Sequence, residues 1–336
     1  MSPATVFGTL PDGREVRAHE LVAGRLRVQV LELGAIVNRV EVDGQDVAIG
    51  FDTLEQQQMA KAYFGAVVGR YANRLAKARY AVDGREFRVT ANEGANALHG
   101  GVEGFDARLW TVVANDDASI TLELVSPDGD QGFGGELTAR ATYTVADDAL
   151  RLELSATTDA PTVCALTSHL YLNLAGSGSI DDNILQVNAS GYVPIDAESI
   201  PLGTIADVAG TPFDLRQPTR VGDAVRTDNP QVSLAKGIDH SFDIDGEGFR
   251  RAARVECPTS GRVVEVWSDQ PALQVYTGNF LDGLWTARGG RRLRQGDALA
   301  LEPHVHPDTP NQPWEGDAVL RPGEIWNSTI EWRFAG

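Results

Sequence analysis

The sequence predicts an all-β fold, a large antiparallel β-sandwich, on three observations. Apolar residues recur at every second position in short runs: Leu26, Val28 and Val30, then Ile120, Leu122 and Leu124, then Leu150, Leu152 and Leu154. A period of two places one face of a strand in a core and the other in water. Asp-Gly pairs stand between strand-like flanks in VDGQDVAI (Val42–Ile49) and VDGREFRV (Val82–Val89), a strong hairpin signal. No long amphipathic helix and no alternation of strand with helix occurs, which argues against a parallel sheet.

The elements follow in order from these signals. TLEQQQMAKAYF (Thr53–Phe64) is the one stretch with a short helical pattern. Strand-like alternation continues to STIEWRF (Ser328–Phe334). Glycine and proline are spread as punctuation, and no linker divides the chain, so residues 1–336 read as one domain. The two VDG hairpins are too isolated to be an internal repeat.

Composition narrows the function. The 336 residues carry a net charge of −18, which disfavours a broad nucleic-acid surface. Cys164 and Cys257 are far apart and form no CxxC, so buried free thiols are expected. The N-terminus, MSPATVFGTLPDGREV, lacks the pattern of a signal peptide, and no stretch reaches membrane-span length. A cytoplasmic protein with no membrane partner is the expectation. Nothing in the pattern specifies an oligomeric state.

Six histidines occur, five of them in four polar motifs: NALHGG (Asn96–Gly101), TSHLYLNLAG (Thr167–Gly176), KGIDHSF (Lys236–Phe242) and LEPHVHPD (Leu301–Asp308). GRYANR (Gly69–Arg74) precedes them. His19 stands apart and reads as structural. Each motif alone has an ordinary structural explanation. If Ala298–Val305 is a strand, Glu302, His304 and His306 share one face, and a carboxylate with His-x-His suits a divalent metal, as in cupin barrels. Here, however, the carboxylate precedes the pair, and Pro303 and Pro307 interrupt regular pairing. No metal and no cofactor is the expectation.

Taken together the motifs resemble those of the aldose 1-epimerases, the galactose mutarotase family. YFGAVVGRYANRLAKARYAVDG (Tyr63–Gly84), NALHGGVEGFDARLW (Asn96–Trp110), SHLYLNLAG (Ser168–Gly176) and GIDHSF (Gly237–Phe242) resemble four family signatures in order. GYVPIDAESIPLGTIADVAGTPFDLR (Gly191–Arg216), QVYTGNFLDG (Gln274–Gly283), LEPHVHPDTPNQP (Leu301–Pro313) and LRPGEIWNSTIEWRF (Leu320–Phe334) fit as well. The resemblance spans nearly the whole chain. It implies a sandwich of the galactose mutarotase type, an open carbohydrate cleft, and cofactor-free interconversion of the anomers of a free aldose. By motif position it implies Glu302 as base and His169 as acid. It places Asn73, Arg74, His99 and Asp239 against the sugar, with Tyr171 and Gln274 matching less closely.

The chemistry explains these residue types. Opening a hemiacetal needs a base at the C1 hydroxyl and an acid at the ring oxygen, and closure reverses both transfers. Arg74 and His99 are suited to hold hydroxyls and stabilise developing negative charge. Asp239 is suited to accept hydroxyl hydrogen bonds and to favour a charged His169. Tyr171 and Phe280 offer faces for sugar packing, and His304 and His306 are expected to line or support the cleft. The chain departs from the family pattern at Ser168, Leu170, Leu172 and Pro303–His304, beside the acid and the base, which bears on the preferred sugar. A non-catalytic sugar-binding module on the same fold, an epimerase of a phosphorylated hexose, and a metal-dependent cupin-like enzyme are the alternatives.

Overall fold

The structure is a computed structural model and describes residues 4–314 and 316–336. Three sheets dominate. A five-stranded sheet runs in sequence order from Thr5–Thr9 through Glu15–Ala23, Leu26–Leu31 and Val37–Val42 to Gln45–Asp46. A nine-stranded sheet is ordered Thr111–Asn115, Ser119–Ser126, Leu137–Val145, Ala149–Thr158, Trp326–Ala335, Val263–Ser268, Arg250–Glu256, Ile184–Val187 and Thr219–Arg220. A six-stranded sheet is ordered Tyr171–Leu172, Leu299–His304, Ala272–Tyr276, Asp239–Ile244, Ala189–Tyr192 and Ala206–Asp207. Neighbouring strands in all three are antiparallel, as the hairpin signals predict.

Both Asp-Gly turns are two-residue hairpins. Asp43 and Gly44 have φ of 52° and 77°, and Asp83 and Gly84 have 52° and 79°. Positive φ at both positions matches the twist of the flanking strands and is why Asp-Gly serves there. The short helix covers Leu54–Met59. Thr53 caps it by accepting from the Gln56 backbone, and the Gln56 side chain reaches back to the cap, a capping box.

One buried cluster draws on all three sheets, including Val28 and Val40, Leu122 and Leu152, and Val275 and Leu301. Trp110 and Trp332 are its largest members. Both cysteines are buried and unpaired. The six-stranded sheet sets the site. On one face Leu299, Leu301, Leu273, Val275, Phe242 and Ile244 enter the core. By the period of two, the other face carries Glu302 and His304, Gln274 and Tyr276, and Asp239 and Ser241. Register aligns them: Glu302 pairs Gln274, Gln274 pairs Ser241, and Tyr276 pairs Asp239. Tyr171 joins at Ala300, one step along the same face.

Candidate active site

A cavity of about 470 Å³ opens on this polar face. Asn73, Arg74, His99, His169, Tyr171, Asp239 and Glu302 all line it, so seven of the eight site residues expected from sequence meet in one place. The eighth, Gln274, lines a smaller cavity alongside and donates to Asp239 Oδ1 at 2.6 Å. It holds the carboxylate from behind.

Two loops bring the basic groups in. Arg74–Leu75 pairs with Ala97–Leu98. Next to this ladder His99 N–H donates to the Asn73 carbonyl at 3.0 Å, and Asn73 N–H donates to His99 Nδ1 at 3.1 Å. Nδ1 therefore accepts, which leaves Nε2 of neutral His99 as the protonated nitrogen. The glycines that follow are sterically required: a Cβ on Gly100, where φ is 93°, would lie 1.8 Å from the Gly69 carbonyl oxygen. Asp308 ties the last motif to the first. Its N–H donates to the Arg74 carbonyl, and its Oδ1 accepts from Ala76 N–H, both at 2.9 Å.

His169 sits between two short ladders, Thr167–Ser168 with Val67–Val68 and Tyr171–Leu172 with the Leu299–His304 strand. Its backbone bonds to Ala66 O at 2.8 Å and to Gly65 N at 2.9 Å. The imidazole stacks on Tyr171 (4.8 Å, 28°) and on Tyr63 (5.9 Å, 25°). Its Nε2 lies 3.6 Å from Glu302 Oε1. His169 Nδ1 and Glu302 Oε2 are buried without a partner.

Burial dominates the electrostatics. It pushes His169 down to about 3 and raises Glu302 well above the ordinary carboxylate range, with Asp239 raising Glu302 further and Arg74 opposing. This corrects the expectation of an imidazolium held by Asp239. Loss of water lowers His169 and raises Glu302, which favours neutral His169 beside a protonated Glu302. Burial also raises Asp239, against Arg74 and the Gln274 hydrogen bond. It is the largest single influence on Arg74 too and opposes its charge, but the hydrogen bonds to Glu93 at 2.6 and 2.8 Å, together with the charges of Asp239 and Glu93, leave Arg74 raised.

Glu302, His304 and His306, weighed above as a metal set, do not converge. Glu302 and His304 share a strand face, but His306 lies beyond the strand end and bonds Ser241 Oγ at 2.9 Å and Asp243 Oδ1 at 3.2 Å. His304 is fully buried and does not line the cavity. Both histidines support the cleft from behind. Among the described residues, the donor atoms that cluster instead belong to His99, His169 and Glu302, within 4.8 Å of one another. Leu170 and Leu172 belong to the main core, so these two departures bear on packing. His19 pairs with Glu32 at 3.0 Å, away from the site.

Sequence reasoning missed Glu93, Tyr63, Tyr276 and Trp285, which also line the cavity, while Phe280 lines it as expected. Tyr63 lies within a quoted motif, yet nothing in the pattern separates it from the other tyrosines. Glu93 is one of 47 acidic residues, and only the buried Arg74 identifies it.

Comparison with known proteins gives the family. The family pattern for aldose 1-epimerase matches residues 17–333. Galactose mutarotase from Bos taurus is 40% identical over 341 residues, covering 98% of this chain and 97% of the relative. Aldose 1-epimerase from Escherichia coli K12 is 38% identical over 337 residues, covering 96% of each. The crystal structure of galactose 1-epimerase from Lactobacillus acidophilus superposes with a TM-score of 0.90 at 28% identity, over 99% of this chain and 98% of the other. An aldose epimerase homologue from C. elegans gives 0.88 at 30%, over 95% and 98%. By sequence and by fold, the chain belongs to the aldose 1-epimerase family.

Proposed function

We propose that Glu302 takes the proton from the anomeric hydroxyl of a bound aldose while His169 gives one to the ring oxygen. The activity is that of the family, interconversion of α and β anomers of a free aldose. The observation that carries the assignment is the pair itself: Nε2 and Oε1 stand 3.6 Å apart at one cavity wall. Glu302 as acid with neutral His169, and carboxylate with imidazolium, hold the same number of protons. A sugar whose ring oxygen accepts from His169 and whose hydroxyl donates to Glu302 selects the second arrangement. Ring opening then leaves an aldehyde, C1 rotates, and the reverse transfers close the ring. Both steps are proton transfers and require no cofactor.

Neutral sugars fit better than phosphorylated ones. Of the cations at the cavity, Arg74 is already held by Glu93, and Lys61 faces a lining that includes Glu93, Glu198, Asp239 and Glu302. An acid–base pair is also more than a binding module needs. The relatives' names make galactose the first sugar to test. A cytoplasmic location is supported by the buried free thiols. Among the described residues no helix is long and apolar enough to cross a membrane. The test is polarimetry of freshly dissolved α-anomers. Mutarotation above the spontaneous rate is expected from the wild type and not from Glu302→Gln, and near-normal turnover in that variant would remove Glu302 from the role of base.

A further inference from the structure

His306 lies just beyond the strand that carries Glu302, and both of its ring nitrogens are bonded. We propose that His306 is a positioning residue: it fixes the spacing between Glu302 and Asp239. The proposal rests on reading Glu302 as the base and Asp239 as a sugar contact.

The sheet separates these two carboxylates by one strand. Leu299–His304 carries Glu302, Ala272–Tyr276 comes next, and Asp239–Ile244 carries Asp239. Glu302, Gln274 and Ser241 stand in register across the three strands. One step further along the same face come His304, Ala272 and Asp243. Ala272 presents only a methyl group at that level, so a ring has room to cross the middle strand. The chain bends at Val305, and His306 makes the crossing. Its Nε2 lies 3.2 Å from Asp243 Oδ1, and its Nδ1 lies 2.9 Å from Ser241 Oγ. The carboxylate accepts, so Nε2 carries the proton, and Nδ1 of the neutral ring accepts from the serine hydroxyl. One side chain thus joins the segment of Glu302 to the strand of Asp239.

The tie matters because the backbone has fewer donors to hold this segment. Pro303 and Pro307 lack the N–H group. Side chains take over. Thr167 Oγ1 donates to the Pro303 carbonyl at 2.7 Å, and Asp308 Oδ1 accepts from Ala76 N–H at 2.9 Å. The His306 ring is buried and packs beside Trp314 at 5.5 Å, which limits its movement.

His306 does not line the catalytic cavity, so it acts only through its partners. Ser241 is the partner that reaches the site. It shares a strand face with Asp239 and borders a small cavity with Asn73, Arg74, Asp239 and Gln274. Gln274 in turn donates to Asp239 at 2.6 Å. Without the tie, the segment of Glu302 shifts against the groups that hold the sugar. The sugar still binds, but the base stands out of line. A misplacement of about 1 Å can lower a rate by about a hundredfold.

The variants are His306→Leu, His306→Gln, Ser241→Ala and Asp243→Ala. Each is assayed by steady-state polarimetry with α-galactose, alongside thermal unfolding. His306→Leu and Ser241→Ala are expected to lower kcat about ten- to a hundredfold, with KM within about threefold of wild type. The two together are expected to lose no more than either alone, since both break one bond. His306→Gln is expected to recover most of the loss, because its amide can accept from Ser241 and donate to Asp243. Asp243→Ala breaks the other bond from a half-exposed position, so it remains informative where a buried change harms folding. Its kcat is expected to fall about three- to tenfold.

Wild-type kcat and KM per folded molecule in His306→Leu or Asp243→Ala, whatever the melting temperature, overturn the proposal and leave the assignment of Glu302 intact. Near-normal turnover in Glu302→Gln, or no mutarotation by the wild type, would instead remove the reading on which it rests.

Discussion

The two faces of the Leu299–His304 strand are equally buried and differ sharply in chemistry. Leu299 and Leu301 enter a core where apolar side chains meet apolar side chains. Glu302 and His304, one residue away, are as deeply buried, yet each leaves a polar atom without a partner. Of twelve such orphan side-chain atoms among the described residues, five belong to Ser168, His169, Gln274, Glu302 and His304, at or beside the cleft. An unsatisfied buried group costs about 1–3 kcal/mol. The core face therefore contributes the stability that the cleft face consumes, and local rules of polar satisfaction fail where the chemistry is.

The largest expected effects test the cleft side. Glu302→Gln keeps the shape and removes the proposed base. His169→Asn removes the proposed acid. Each is expected to lower kcat by about two to four powers of ten, the usual worth of a positioned proton-transfer group. The double variant is expected to lose much less than the product, because both groups act on one ring opening. Thermal unfolding of Glu302→Gln is expected to show equal or higher stability, since a buried ionisable group has been replaced by a neutral one. A marked loss of stability would mean that the cleft face also holds the fold together.

Leu301→Ala makes the reciprocal change on the core face. Truncating a buried leucine is expected to cost about 2–5 kcal/mol. Denaturant unfolding should record that loss, while kcat per folded molecule stays near wild type. A fall in kcat comparable to that of Glu302→Gln would show that the two faces are not separable.

A smaller effect is expected at the sugar-holding groups. Arg74→Ala should raise KM by about ten- to a hundredfold, in line with hydrogen bonds to a charged group. Glu93→Gln should do less, because Arg74 stays in place but loses its charged anchor. Steady-state polarimetry separates the two. Equal effects would make Glu93 itself a sugar contact.

The contrast between the faces also explains what the sequence disclosed. Alternation and Asp-Gly turns announce strands and hairpins because they are local properties of the chain. The residues Asn73, Arg74, His99, His169, Asp239 and Glu302 were legible through motif resemblance, and the fold brings them to one cavity. The protonation of the pair was not legible. Asp239 is near enough in motif order to suggest an imidazolium, but desolvation depends on how completely strands from distant segments close over the site. Gln274, the less close of the sugar-contact matches, stands in register opposite Glu302 and bonds Asp239. Leu170 and Leu172 were read as cleft neighbours, yet strand alternation turns them to the core and Tyr171 to the cavity.

The pH profile sharpens the comparison further. Between the lowered pKa of His169 and the raised pKa of Glu302 the pair holds one proton. Adding a proton at low pH removes the base, and losing one at high pH removes the acid. The acidic limb of kcat/KM, which reports the free enzyme, is therefore expected below the ordinary imidazole pKa of 6.5. The alkaline limb is expected above the ordinary carboxylate value of 4.5, far enough to leave a plateau at neutral pH. A sharp optimum, with the acidic limb at an ordinary imidazole value, would show that the cleft is wetter than its burial implies.

The smallest expected effect is that of chelation. His99, His169 and Glu302 bring three metal-binding side chains together, with donor atoms within 4.8 Å of one another. Ligands about 2.0–2.2 Å from a zinc ion stand roughly 3.3 Å apart, so the trio would need to tighten to hold one. His99 has already committed Nδ1 to the Asn73 backbone, which leaves its Nε2 protonated when the ring is neutral. Binding a metal there would require that proton to leave. On the proposed mechanism ring opening consists of two proton transfers, one to Glu302 and one from His169, so a Lewis acid would add nothing the pair lacks. Incubation with EDTA is therefore expected to leave the mutarotation rate unchanged, and added zinc is expected to inhibit by occupying the acid and the base. Loss of activity on chelation, restored by a divalent ion, would turn the polar face of this strand into a metal site and reassign Glu302 from base to ligand.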